Sequence, residues 1–224
     1  MTFPTSSSSS DFSARVAENL SHVQSRIVAT GRALADVTIV AVTKTFPTEA
    51  VIAAAQCGLC VVGENYLEEL APKRHELPTL AVTWQYLGHL QTNKIARIAQ
   101  VADVVTSLAR EKEVTFFTRQ ERQPTFYVQV DFTNAEARNG AAPSEVPRLV
   151  DFAREAGLSV TGLMTVAPPD GEGARRAFAG TAALADSLEL PVRSMGMSDD
   201  LELALAAGTT EIRLGRALFG ARNP

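Results

Sequence analysis

The chain has 224 residues, 46% of them apolar, and a formal net charge of −4. A chain of this length suits one α/β barrel or two small domains, with enough apolar content for a sizeable core. The negative balance gives no electrostatic case for nucleic acid or an anionic membrane surface, and no apolar run is long enough to span a bilayer.

The opening "MTFPTSSSSSDFS" lacks the basic and apolar regions of a secretory signal. Residues 1–10 read as a disordered serine-rich tail, and Ser10 or Asp11 as the N-cap of a first helix. Phe12, Val16, Leu20, Val23 and Ile27 recur every three or four residues and lie on one face of that extra N-terminal helix.

From there the pattern alternates. "VTIVAV" reads as a strand and "TEAVIAAAQCG" as a helix with Gly58 beyond its end. "CVVGEN" and "YLEELAPKRHEL" follow, then "TWQYLG" and "QTNKIARIAQVA", with Ile95, Ile98 and Val101 inward and Trp84 in the core. "VVTSL" precedes the helix around "EKEVTFFTRQ". "TFYVQVDF" leads through Asn139-Gly140 to "SEVPRLVDFAREAG". "VTGLMTV" precedes "ARRAFAGTAALADSL", "RSMGM" precedes "SDDLELALAAG", and "EIRLG" precedes "RALFG". Eight short apolar strands, each followed by a helix, predict parallel βαβ units. Their number points to a single closed (β/α)8 TIM-type barrel over residues 11–224, with a doubly wound open sheet as the alternative.

The two cysteines, Cys57 and Cys60, follow a helix and open a strand. That order is the reverse of a thioredoxin-like pair, and one pair falls short of a zinc site. Two reduced, mostly buried structural cysteines are expected, with no metal, in a cytoplasmic protein.

In such barrels the chemistry sits at the carboxyl ends of the strands. Lys44 closes the first strand, although an unpaired buried ammonium is costly. Glu64 and Asn65 follow the second strand, Gly88 and His89 the third, Met197 and Ser198 the seventh, and Gly215 and Arg216 the eighth. The last two loops are where barrels commonly bind a phosphate. "MGMSDD" would offer it the amino end of a helix. A desolvated lysine opposite a phosphate site suggests a Schiff base with pyridoxal 5′-phosphate, PLP. An aldolase-type lysine base and a lysine that merely reaches solvent stay open on these residues. So do a simple capping role for Ser198 or Asn65 and a loop role for His89.

"VAVTKTFP", "VGENYLEEL", "WQYLGHLQTNK", "GLMTVAP", "SMGMSDDLELAL" and "IRLGRALFG" stand in an order and spacing that closely resemble the PLP homeostasis proteins, the YggS-type family. The resemblance spans about residues 15 to 221 and implies the barrel of the alanine racemase N-terminal domain. It implies PLP as cofactor, held as a Schiff base on Lys44 with Asn65 close by. It places Ser198, Gly215 and neighbouring backbone on the phosphate, and Arg213 against the pyridine nitrogen. An arginine there keeps that nitrogen unprotonated and the ring a poor electron sink.

Three departures from the family pattern stand out. Arg216 replaces the usual Thr or Ser and is expected to turn toward solvent. Trp84-Gln85-Tyr86 replaces Trp-His-Phe. "ARNG" replaces Ser-Lys-x-Gly, with Arg138 as the basic substitute.

The function expected is a non-catalytic PLP carrier that buffers the cofactor and hands it to PLP-dependent apoenzymes, with no nucleic acid or membrane partner. The alternative is an amino-acid racemase-like enzyme. A racemase needs two bases, one on each face of the α-carbon. In this fold the second is a tyrosine from a β-rich domain of a partner subunit. The barrel pattern runs to the last residues, so that domain is expected to be absent and the protein to be a monomer. Of the three tyrosines, Tyr66 is expected nearest the mouth, with Tyr86 and Tyr127 inside strands.

Overall fold

A computed structural model describes residues 6–133 and 139–221. Its eight strands are β1 (Thr38–Val42), β2 (Val61–Glu64), β3 (Thr83–Tyr86), β4 (Val104–Leu108), β5 (Thr125–Val130), β6 (Val160–Thr165), β7 (Val192–Ser194) and β8 (Glu211–Leu214). Every pairing is parallel and each strand pairs with the next. Val40 of β1 pairs with Val61 of β2 on one side and with Arg213 of β8 on the other, which closes the barrel. The closed (β/α)8 reading therefore stands and the open sheet does not.

The connecting helices are α2 (Thr48–Gln56), α3 (Leu67–Glu76), α4 (Ile95–Val101), α5 (Glu111–Phe117), α6 (Val146–Glu155), α7 (Gly171–Ser187), α8 (Leu201–Ala206) and α9 (Arg216–Phe219), preceded by α1 (Ser6–Ala29). Each turns an apolar stripe to the strands, as period-3.6 patterning requires. Ile95 and Ile98 of α4 are fully buried, and Trp84 is in the core. On α1, Val16, Leu20, Val23 and Ile27 are buried as their spacing predicts. The helix packs across the barrel's outside, where Phe12 stacks on Phe219 and Asn19 donates to the Leu218 carbonyl at 2.9 Å.

Four local expectations need correction. α1 begins at Ser6, not at residue 11, so the whole serine run, residues 6–10 of the expected tail, belongs to the helix; serine's helix propensity is only moderately unfavourable and an established helix extends cheaply. Residues 1–5 of the expected tail lie outside the described residues. β7 stops at Ser194, because Gly196 takes a φ of +95°, which breaks an extended run. α8 opens at Leu201 with Asp200 as its N-cap residue. The turn before it is closed by Asp200, whose Oδ1 accepts from Met197 N. Finally, the cysteines are free but not mostly buried: Cys57 is half-buried and Cys60 exposed.

Candidate functional site

The carboxyl ends of the strands surround a cavity of about 700 Å3. Lys44 enters it on a tight turn. The Thr43 carbonyl accepts from Phe46 N at 3.1 Å. Thr45 takes a φ of +66° and its N–H donates to Glu69 Oε2 at 2.7 Å. Pro47 then fixes the start of α2. A positive φ costs a β-branched residue energy and marks a locally constrained segment.

The constraint comes from below. Lys73 on α3 donates to the Thr43 carbonyl at 2.8 Å and to Glu64 Oε1 at 2.6 Å. The Thr43 hydroxyl donates to the same Glu64 oxygen at 2.6 Å. Burial pushes the Glu64 carboxyl above its ordinary range, while the bonds from Lys73 and Thr43 pull it down. The turn carrying Lys44 is thus bolted to β2 and α3 by a buried ion pair.

Across the cavity lie the two late loops. The Ser198 hydroxyl accepts from Ala217 N at 3.2 Å, so it ties the β7–α8 loop to the start of α9 and does not cap α8. Gly215 lines the cavity. A Cβ there would stand 3.2 Å from the Val42 carbonyl, which is why a residue without a side chain lets the backbone come close. The Arg216 guanidinium pairs with Asp199 and is largely exposed, 66% for the side chain. It turns toward solvent, the orientation expected from sequence.

Arg213 closes the cavity's base. Its Nη1 donates to the Ser194 carbonyl at 2.7 Å and to the Ser194 hydroxyl at 2.8 Å, and its Nη2 donates to the Thr165 carbonyl at 2.8 Å. Burial lowers its pKa, opposed by the charges of Glu211 and Asp200. Among the described lining residues Lys44, Arg213 and Arg216 are cationic and Asp199 is anionic, a balance that favours an anionic ligand. Phe46, Leu87, Met164 and Val166 supply apolar walls. Such a wall around a few convergent polar groups is the usual make-up of a small-molecule site.

Of the residues expected at the site, Lys44, Asn65, Met197, Ser198, Arg213, Gly215 and Arg216 line this one cavity. His89 does not. It is exposed and borders a separate surface cavity with Asn93 and Arg110. Gly88 explains the divergence: a Cβ there would fall 1.9 Å from the Asn65 carbonyl, and Ser107 donates to the Gly88 carbonyl at 2.6 Å. The loop is pressed onto Asn65 and led away toward β4. Arg138 lies outside the described residues. Sequence reasoning missed Asp199 and the apolar walls, and it gave Lys73 no role.

None of the three tyrosines lines the mouth cavity. Tyr66 is 53% exposed, the Tyr86 hydroxyl donates to the His89 carbonyl at 3.2 Å, and Tyr127 borders a cavity at the barrel floor. Among the described residues no cluster of three or more His, Cys, Asp or Glu could hold a metal ion, and no helix is long and apolar enough to cross a membrane.

The family described as "Alanine racemase, N-terminal domain" matches residues 13–223. A pyridoxal phosphate homeostasis protein of Pseudomonas aeruginosa is 38% identical over 221 residues, covering 93% of this chain and 96% of its own. The structure of PipY of Synechococcus elongatus with PLP bound is similar at 30% identity and a TM-score of 0.76, covering 92% of this chain and all of the other. Alanine racemase from Corynebacterium glutamicum, at 16% identity and a TM-score of 0.73, shares the fold, and the match covers 62% of that chain.

Proposed function

Because the chain belongs to the alanine racemase N-terminal domain family, we propose that it binds PLP at the barrel mouth, covalently through Lys44, and serves PLP homeostasis without substantial turnover of its own. The observation that carries this reading is the convergence of Lys44, Ser198, Gly215 and Arg213 on one cavity. The relatives' names point the same way, since they are called PLP homeostasis proteins and PipY was solved with PLP.

The residues present fit the group. PLP brings a reactive aldehyde, a pyridine ring and a phosphate. Lys44 supplies an amine on a fixed turn. Ser198 and the backbone at Gly215, where a side chain would crowd the Val42 carbonyl, supply a polar cradle for the phosphate. Arg213, held on three barrel-wall acceptors, presents a permanent cation where a ring nitrogen would sit. An arginine gives up its proton very reluctantly, so it would leave that nitrogen unprotonated and weaken the ring's pull on electrons.

A racemase needs a second base opposite the lysine. In this fold that base would come from a partner subunit, and what favours the carrier reading is that the relatives are called homeostasis proteins. We further propose that PLP-dependent apoenzymes are the recipients. The test is a PLP titration of the purified protein followed by absorbance. Saturable binding at one site, lost in Lys44→Ala, is expected; spectra that only sum free PLP and protein would contradict it.

A further inference from the structure

Three polar residues of α3, Glu69, Lys73 and Glu76, are spaced four and three apart and so lie on one face of the helix. Each reaches the segment that runs from the end of β1 into α2 and carries Lys44. Lys73 Nζ donates to the Thr43 carbonyl at 2.8 Å. Glu69 Oε2 accepts from Thr45 N at 2.7 Å. Glu76 Oε2 accepts from the Thr48 hydroxyl at 2.6 Å, at the first residue of α2. Lys73 also pairs with Glu69 at 3.5 Å, so the contacts on either side of Lys44 belong to one network.

What the network holds is a strained turn. Thr45 has a φ of +66°, which a β-branched residue adopts only at a cost. Among the described residues Glu189 is the other non-glycine with a positive φ, and it lies in the α7–β7 connection at the opposite end of the barrel. A charge-assisted bond from a carboxylate to the Thr45 N–H is a strong one and can hold such a conformation. On the other side, Thr43 N donates to the Gly63 carbonyl at 3.0 Å and its own carbonyl is taken by Lys73. The residues before and after Lys44 are both fixed, and with them the point from which its side chain departs.

We propose that Glu69 is a positioning residue for Lys44: together with Lys73 it clamps the backbone on both sides of that lysine and so sets where the amine meets the aldehyde of PLP. The proposal rests on the PLP reading above. Glu69 is not among the residues that line the cavity, so it acts through the turn. It is half-buried and stands outside the Lys73–Glu64 pair, so its removal leaves that pair in place. Without it Thr45 relaxes toward a negative φ, the turn opens and the amine loses its aim.

The experiment compares the full chain with Glu69→Ala, Thr45→Gly and the double variant. Two readouts are taken: the PLP dissociation constant from absorbance titration, and the hydrogen-exchange rate of the amide at position 45 in PLP-free protein. Glu69→Ala should weaken PLP by about tenfold, the scale of one lost bond to a charged group. It should also speed exchange at position 45 by about tenfold or more, while the slow amides of the strands keep their rates. Thr45→Gly should recover most of the affinity lost in Glu69→Ala, because glycine takes a positive φ without a steric penalty. A merely structural role for Glu69 would not be rescued at position 45. PLP affinity within about twofold of wild type in Glu69→Ala would overturn the proposal, and so would a loss that Thr45→Gly leaves in full. If Glu69→Ala does not fold, Glu69→Asp, whose carboxylate is one methylene short, decides by the same readouts. If the wild-type chain takes up no PLP, the PLP reading fails. The exchange rate at position 45 still decides whether Glu69 holds the turn, and an unchanged rate would overturn the clamp.

Discussion

Lys73 Nζ donates to the carbonyl oxygen of Thr43 at 2.8 Å, one residue before Lys44. The ammonium that anchors the turn is 8% exposed and also pairs with Glu64, which is fully buried. Breaking such a pair by removing one partner typically costs about 3–5 kcal/mol, because the other charge stays buried alone. Lys73→Met should therefore lower stability by that order in chemical denaturation. Lys73→Met with Glu64→Leu should recover much of the loss. An unchanged denaturation midpoint in Lys73→Met would show that the pair does not anchor the turn.

Glu64 also gives a pH signature. Burial raises its carboxyl above the ordinary value in the folded chain. Between the ordinary and the raised value, the folded protein holds a proton that the unfolded chain has released. Stability from this group is therefore greatest at the acid end of that window and falls as pH rises through it. Glu64→Gln should flatten this part of the stability profile, measured by urea unfolding at a series of mildly acid pH values. A slope identical to wild type would assign the effect elsewhere.

Arg216 pairs with Asp199 at an exposed position, and exposed pairs contribute about 0–1 kcal/mol. Arg216→Thr should change PLP affinity by less than tenfold, or about 1.4 kcal/mol. Ser198→Ala should cost more, since its hydroxyl joins the β7–α8 loop to the start of α9, where the phosphate is proposed to sit. Isothermal titration of both variants decides. The reverse ranking would mean that the guanidinium swings inward onto the phosphate.

Under the carrier reading Arg213 would face the ring and weaken its pull on electrons. α-Deuterium exchange and loss of optical rotation, followed over a panel of amino acids, should stay far below an ordinary enzyme rate of about 1 s⁻¹. Sustained turnover at that rate would reinstate the racemase-like alternative.

Much of this was legible in the sequence, for physical reasons. Strand and helix periods exposed all eight units, and seven of the eight expected site residues share one cavity because strand ends in a parallel barrel must converge. His89 failed because its loop is steered by Gly88 packing on the Asn65 carbonyl, a contact that sequence spacing does not encode. Lys73 was readable in hindsight: it falls three residues after Leu70 and six after Leu67, on the stripe that α3 buries, where a charge needs a partner. Glu211 gave a similar signal inside an apolar strand. Its partners Gln85 and Tyr127 come from β3 and β5, so closure of the barrel had to be seen first.

The central claim is that Lys44 is the residue that holds PLP. Washed, PLP-loaded protein should be reduced with borohydride, digested, and its peptides mapped by mass. The account predicts a single phosphopyridoxyl-modified peptide, containing Lys44, and no modified peptide from Lys44→Ala treated in the same way. Stoichiometric label on another peptide, such as one carrying Lys73 or Lys94, with Lys44 unmodified, would contradict it.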